Sequence, residues 1–267
     1  DGVKQLEKLL YKMKKFLIIG AGAMGSAFTL PCVENLNKVI LAGTHLERNN
    51  IKKLKSDYYH KSLNAYLSRK VKIIDEKSLD KYLKDSPDYI VIAISSLGID
   101  WVCNKLIKNY KKKLSIILLT KGLVKDGNKV ITISNKINKI FNKRNLPNQD
   151  ITSIKGPCLA AGLINKIRTS TIIANRNINN AKKIQKLIST NYYNTEISKD
   201  INGVEAMGAI KNIYAMLVGA SLGLSGKFQK LKIRDKYYHN TSSALLSKSL
   251  AEMKLFAKKM KGLPHTA

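Results

Sequence analysis

The stretch Phe16-Leu17-Ile18-Ile19-Gly20-Ala21-Gly22-Ala23-Met24-Gly25 joins four large apolar residues directly to three glycines in the spacing Gly-x-Gly-x-x-Gly. Four consecutive apolar residues read as a short buried strand. The glycines read as a tight turn into a helix. Gly20 permits the turn, Gly22 lets the backbone approach a pyrophosphate, and Gly25 lets helix and strand pack closely. The helix N-terminus behind them offers free N–H groups and the positive end of a dipole to a phosphate, beginning at Ala23 and Met24. The stretch therefore predicts the first strand–helix unit of a dinucleotide-binding domain. Its surroundings imitate something else. Met13-Lys14-Lys15 precedes a run, Phe16 to Val33, that holds no charge and contains Cys32. That is the outline of a secretory or lipoprotein leader. The glycines and Ser26 make a poor apolar centre, however, and Pro31 is a poor neighbour for cleavage at Cys32. Met13 reads as the natural start, and residues 1–12 as an extension ahead of it.

Working outward, Lys38–Ala42 is the next strand, and Val71–Ile74 a further short one. Asp75–Lys84 reads as a short helix, Asp88–Ile94 as a strand, and Gly98–Lys112 as a helix. Ser115–Leu119 is a strand that ends at Thr120-Lys121-Gly122. A helix is expected near Val130–Arg144, strands at Ile151–Lys155 and Ser170–Ala174, and a helix at Ile178–Ser189. Strands that are continuously apolar and alternate with helices mean a parallel sheet covered on both faces. After about Asp200 the pattern changes. Ile201–Leu224 and Asn240–Lys261 are long, Ala-, Leu- and Met-rich helical stretches, with a basic segment, Ser225–Tyr238, read as an exposed loop. The expected fold is α/β: a Rossmann-like, doubly wound, mostly parallel sheet over 13–200, then a short, truncated all-helical domain over 201–267.

Composition bounds the function. At 267 residues and 44% hydrophobic, the chain can bury a core unaided. Cys32, Cys103 and Cys158 are far apart and lack metal-ligand spacing, so a reducing compartment and no metal site are expected. The balance of 48 Lys+Arg against 18 Asp+Glu gives a net charge of +30. A nucleic-acid binder would cluster such charge with aromatics and favour Arg. Here the bases are mostly Lys spread along the whole chain, which reads as compositional bias on solvated faces, without a specific nucleic-acid partner. No stretch has the apolar length of a membrane span.

Three further places carry chemistry. After the second strand, Gly43-Thr44-His45-Leu46-Glu47-Arg48 brings its acid late, while Thr44, His45 and Arg48 could accept a 2′-phosphate, so the cofactor is NAD or NADP. Lys121 follows a buried strand, where ligands of doubly wound sheets sit. Lys211 interrupts a small, apolar helical stretch, Gly203 to Met216, and is a candidate general acid/base.

Together these pieces resemble the bacterial-type NAD(P)-dependent glycerol-3-phosphate dehydrogenases. The resemblance rests on Gly20–Gly25, Thr120-Lys121-Gly122-Leu123, Gly156-Pro157, Gly203-Val204-Glu205 and Gly208-Ala209-Ile210-Lys211-Asn212, in family order, with Ala244-Leu245-Leu246 and Leu250-Ala251-Glu252-Met253 in the last helix. It implies hydride transfer between a nicotinamide and carbon 2 of glycerol 3-phosphate, giving dihydroxyacetone phosphate. It implies Lys211 as the catalytic lysine, Lys121 as the residue that orients substrate and meets cofactor, and Asn212 near the substrate. Gly156 and Cys158 fall at substrate positions, and Ser95 and Ala160 at cofactor positions. A cytoplasmic homodimer supplying glycerophospholipid synthesis is the corresponding expectation. Departures are visible: Ile94-Ser95 replaces the usual Pro-Ser, Cys158 replaces Ser or Thr, and Ala160-Ala161-Gly162 replaces Ala-Lys-Glu. The family's Gly-x-Gly-Asp-Leu segment and its Arg-Asn pair, which grip the substrate phosphate, lie beyond the part this sequence matches. The competing readings are a nucleotide-binding remnant without turnover, a related lysine-dependent hydroxyacid dehydrogenase, and a basic nucleic-acid-binding protein.

Overall fold

The computed structural model describes residues 13–227 and 235–266. The 1–12 extension lies outside them. A central sheet of eight strands is built from β1 (Lys15–Ile19), β2 (Lys38–Ala42), β5 (Lys72–Ile74), β6 (Tyr89–Ile92), β7 (Ser115–Leu118), β10 (Asp150–Lys155), β11 (Thr169–Ala174) and β12 (Tyr193–Ser198). Their order across the sheet is β12-β11-β10-β7-β6-β1-β2-β5. Every pairing is parallel except β10 with β11. From β5 to β10 this is the doubly wound order, and it reverses between β1 and β6. The crevice at the carboxyl ends of those two strands is therefore the place for a ligand.

Helices cover both faces because each apolar strand must be buried twice. β1 shows how. Phe16 and Ile18 face a core shared with Phe28 and Cys32 of α1 (Ala23–Glu34) and with Ile184 and Ile188 of α7 (Ile178–Ile188). Leu17 and Ile19 face the opposite core, with Val102 and Leu106 of α4 (Ile99–Asn109) and Ile137 and Phe141 of α5 (Ile133–Asn142). All four β1 residues are fully buried. The remaining short helices are α2 (Arg48–Asp57), α3 (Leu79–Lys84) and α6 (Ala160–Ile164).

Two long helices follow, α8 (Ile201–Lys227) and α9 (Asp235–Lys259). The root of α8 is sunk into the sheet domain: Ile201 and Val204 join the second core. Asp200 ties it to the turn after α9, accepting from Gly203 N at 2.8 Å, Leu263 N at 2.7 Å and Thr266 Oγ1 at 2.6 Å. Further out, Ile213, Met216, Leu217, Leu246, Leu250 and Leu255 are exposed.

Four expectations need correction. Leu123–Asp126 and Lys129–Thr132 form an antiparallel hairpin, β8 and β9, turning at Gly127, so the expected helix near Val130 starts only at Ile133. Its real start is marked by Thr132, whose side chain caps Asn135 N. Strand β12 is an edge strand with alternating burial, Tyr-Asn-Thr-Glu-Ile-Ser, and has no apolar run to announce it. A two-residue hairpin, β3 (Tyr59–His60) with β4 (Ala65–Tyr66), and helix α2 also went unforeseen. Finally, the basic segment 225–238 is helical at both ends; its middle, 228–234, lies outside the described residues. No helix among the described residues is long and apolar enough to cross a membrane.

Candidate active site

The glycine loop connects β1 to α1 at the sheet's reversal point. Gly20 has φ +111°, and its N–H donates to Ala42 O at 2.9 Å. A Cβ there would sit 2.5 Å from Ala93 O of the neighbouring strand end, and a Cβ on Gly25 would sit 2.1 Å from Gly20 O. Both overlaps are with backbone, which cannot swing aside, so only glycine fits. Gly22 is the N-cap of α1 and brings no capping side chain. The first-turn N–H groups at Ala23 and Met24 are thus left to an anion. These residues fit a dinucleotide's pyrophosphate. The loop is also braced from behind. Ala21 O accepts from Ser26 Oγ at 3.1 Å and Asn50 Nδ2 at 2.7 Å, and the buried His60 places Nε2 3.1 Å from the same oxygen.

Of the three residues expected around a 2′-phosphate at the carboxyl end of β2, Thr44 and Arg48 line one cavity and His45 does not. His45 turns away and meets the Trp101 ring edge-on at 5.6 Å. Thr44 N donates to Glu47 Oε2 at 2.8 Å. Arg48 is exposed and lines a cavity of about 300 Å³ with Ile51, Lys52, Lys55 and Asp75.

The expected substrate residues gather at the ends of β6, β7 and β10. Thr120 Oγ1 donates to Ile94 O at 2.8 Å and fixes the turn that presents Lys121. Gly122, with φ +130°, brings that turn against Ser96, next to the exposed Ser95. A small cavity of about 20 Å³ is bounded by Met24, Lys121, Lys155, Gly156, Cys158 and Tyr193, among others, so the first turn of α1 and the lysine turn share one wall. Partial burial, and then the charge of Lys211, hold the Lys121 ammonium below the usual lysine range. Burial pushes the Cys158 thiol up, against a hydrogen bond involving Thr169 and the charges of Lys121 and Lys211. Lys121, Cys158 and Lys211 therefore lie within electrostatic reach of one another. Asn212 is exposed beside the half-buried Lys211. Ala160 is not at this cavity; it begins α6 and packs with α1 in the first core.

Beneath this cluster lie a buried lysine and a buried glutamate that sequence reasoning missed, near enough to attract each other but without a direct ion-pair contact. Lys155, the last residue of β10, is 4% exposed and donates from Nζ to Leu118 O at 2.7 Å. Glu205, on the first turns of α8, is 1% exposed, and its Oε2 accepts from Ser134 N at 3.1 Å. That donor belongs to the N-terminal turn of α5, a favourable place for a carboxylate. Burial lowers Lys155 to about 8, against the attraction of Glu205, with the charge of Lys121 lowering it further. Burial raises Glu205, against the attraction of Lys155 and the Ser134 hydrogen bond. Gly208, one turn beyond Glu205, must be glycine here: a Cβ would lie 2.9 Å from Lys155 Cγ. One turn further on, Lys211 and Asn212 straddle the line of Gly208 along the helix. Lys155 so ties the end of β10 to Leu118 of β7, the strand that leads to Lys121, while Gly208 lets the helix that carries Lys211 pack against the same side chain. The signal was present in Gly203-Val204-Glu205-Ala206, where a carboxylate between apolar neighbours on a buried helix needs a cation.

The arrangement offers a phosphate cradle at a helix N-terminus, a separate cavity beside Arg48, and a small cavity at Lys121 within electrostatic reach of Lys211. Among the described residues there is no group of three or more potential metal ligands. Comparison with known proteins agrees with this geometry. The family model described as the NAD-dependent glycerol-3-phosphate dehydrogenase N-terminus matches residues 15–181, and that for the C-terminus matches residues 200–267. An NADP(+)-dependent glycerol-3-phosphate dehydrogenase of Archaeoglobus fulgidus is 29% identical over 201 residues, covering 75% of this chain and 58% of its own. A glycerol-3-phosphate dehydrogenase [NAD(P)+] of Clostridium botulinum is 27% identical over 262 residues, covering 95% of this chain and 70% of its own. The chain thus spans between about half and three-quarters of the length of these relatives. The crystal structure of glycerol-3-phosphate dehydrogenase from Coxiella burnetii shares the fold, with a TM-score of 0.78 at 22% identity, covering 96% of this chain and 72% of that one.

Proposed function

Because the chain belongs to the NAD-dependent glycerol-3-phosphate dehydrogenase family, we propose that it interconverts sn-glycerol 3-phosphate and dihydroxyacetone phosphate with NAD or NADP. The single observation that carries the reading is the cavity that brings Lys121 and Cys158 against Met24 of the first turn after the glycine loop, with Lys211 within electrostatic reach. The dinucleotide supplies or accepts the hydride when bound. The chain's own residues do the rest. Gly20, Gly22, Gly25 and the N–H groups at Ala23 and Met24 hold the pyrophosphate, and Arg48 and Ser95 flank the nucleotide. Lys211 gives or takes the proton on the carbon-2 oxygen. Lys121 stabilises the charge developing on that oxygen and orients the substrate. Gly156, Cys158 and Asn212 line the substrate's side. Lys155, through Leu118, and Glu205, through Ser134, brace the elements that carry the two lysines without entering the reaction. The reading carries with it a homodimer in the cytoplasm; the exposed apolar side chains of α8 and α9 support burial against further protein.

Oxidation of NADH or NADPH by dihydroxyacetone phosphate, compared with unphosphorylated dihydroxyacetone, tests it. The positive charge of Lys121 and Lys211 around the substrate favours an anionic ketone over a neutral one and predicts a preference of about tenfold or more in kcat/KM. Equal use of the two ketones would sink the substrate assignment.

A further inference from the structure

Which nucleotide the cleft takes is decided at the carboxyl end of β2, where the acid arrives late in sequence but not in space. Glu47 folds back so that Oε2 accepts from Thr44 N at 2.8 Å. Its Oε1 lies 3.6 Å from where a Cβ of Gly22 would be. The carboxylate therefore spans the gap between the strand end and the glycine loop. In this type of fold that gap belongs to the adenosine ribose. Two chemistries compete there. A ribose diol offers hydroxyl donors, and a carboxylate only accepts. A 2′-phosphate offers no donor and brings about two negative charges against a carboxylate already in place. It would also need Thr44 N, which Glu47 holds.

The nearby bases do not reverse this. Arg48 is exposed on the outer wall of the 300 Å³ cavity. Lys55 is committed to Asp75 at 2.7 Å, and Asp75 and Glu76 share the same wall with Lys52 and Lys77. Asp75 and Glu76 offset part of the charge of Arg48, Lys52, Lys55 and Lys77 around a space beside Thr44 and Ile51 that admits a flat base. A guanidinium at Arg48 would stack on such a base as readily as it would pair with a phosphate.

We propose that Glu47 selects the nucleotide: its carboxylate holds the adenosine ribose diol of NAD(H) and repels the 2′-phosphate of NADP(H). The assignment rests on the reading of Gly20–Gly25 as a dinucleotide loop, and goes beyond it by choosing between the two cofactors.

Binding of NADH and of NADPH to the full chain, followed by titration calorimetry, tests this without requiring turnover. The wild-type chain should bind NADH roughly thirtyfold more tightly than NADPH or better, and Glu47→Gln should tighten NADPH about tenfold while weakening NADH several-fold. Retained NADH binding in the variant reports that it is folded. Equal affinities in the wild type, a preference for NADPH, or a ratio unchanged by Glu47→Gln would each overturn the assignment to Glu47 and leave the dinucleotide loop standing. Failure of either nucleotide to bind would instead bring down the loop reading, and this assignment with it.

Discussion

Lys211→Ala should lower kcat for dihydroxyacetone phosphate reduction by about a thousandfold, the usual reach of a positioned acid/base. The dissociation constant for NADH should change by less than about twofold, because the nucleotide cradle is built from the glycine loop and α1. The reason is positional. Lys211 is half-buried on the face of α8 that turns towards Lys121 and Cys158. When the hydride reaches carbon 2, its oxygen becomes an alkoxide, and a proton must be at hand. In the proposed division of labour Lys121 offsets that charge and Lys211 supplies the proton. Lys121→Met is accordingly expected to cost less in kcat and more in KM. A Lys211→Ala chain that turns over at the wild-type rate would remove the residue from its role.

Removing the buried Lys155 is the largest expected effect on stability. Lys155→Met leaves Leu118 O without its donor and Glu205 buried without a nearby cation, at a cost of about 1–3 kcal/mol. The dependence on pH distinguishes this from a simple packing defect. The lysine's ordinary value of 10.5 is lowered to about 8 in the folded chain. Between about 8 and 10.5 the unfolded chain therefore holds a proton that the folded chain has released, and wild-type stability rises with pH through that window. The cost of burying the cation is fully present below about 8. Lys155→Met lacks this gain. Glu205, already raised by burial, is raised further when its cation is lost, so the variant also loses stability as pH rises through the carboxyl's titration. Both effects act in one direction. Urea denaturation of the two proteins at pH 6, 8 and 10 should show the deficit of Lys155→Met widening as pH increases. A deficit that stays constant or narrows would contradict a lysine whose titration is lowered by burial.

How much of this was legible beforehand follows the kind of signal each residue sends. β1, β2, β6 and β7 announce themselves because a strand buried on both faces must be a continuous apolar run, as Phe16–Ile19 is. The loop after β1 was legible because its glycines are demanded by backbone contacts, which no other residue satisfies. β12 was not, because an edge strand needs only one buried face, and its polar residues hide in the average composition. The β8–β9 hairpin failed for a related reason: Val130-Ile131 looks like the start of the apolar stripe that continues through Ile133 and Ile137. Lys121 and Lys211 could be picked out by where they fall in the chain. Lys155 could not, since 48 basic residues make one more at a strand end unremarked. Only the fold reveals that it is buried opposite Glu205. Glu47 comes late by spacing, yet the turn Thr44–Glu47 returns its carboxylate to the strand end, which only the fold reveals.

The central claim is hydride transfer to carbon 2 of a phosphorylated ketone in this cleft. Its most direct measurement uses nicotinamide cofactor carrying deuterium at the reactive carbon, with dihydroxyacetone phosphate and the full chain, followed by mass spectrometry of the products. The structure predicts glycerol 3-phosphate with deuterium on carbon 2, formed by the wild-type chain and lost in Lys211→Ala. Cofactor oxidation without deuterated glycerol 3-phosphate, or no consumption of the ketone by a chain that binds the cofactor, would contradict it.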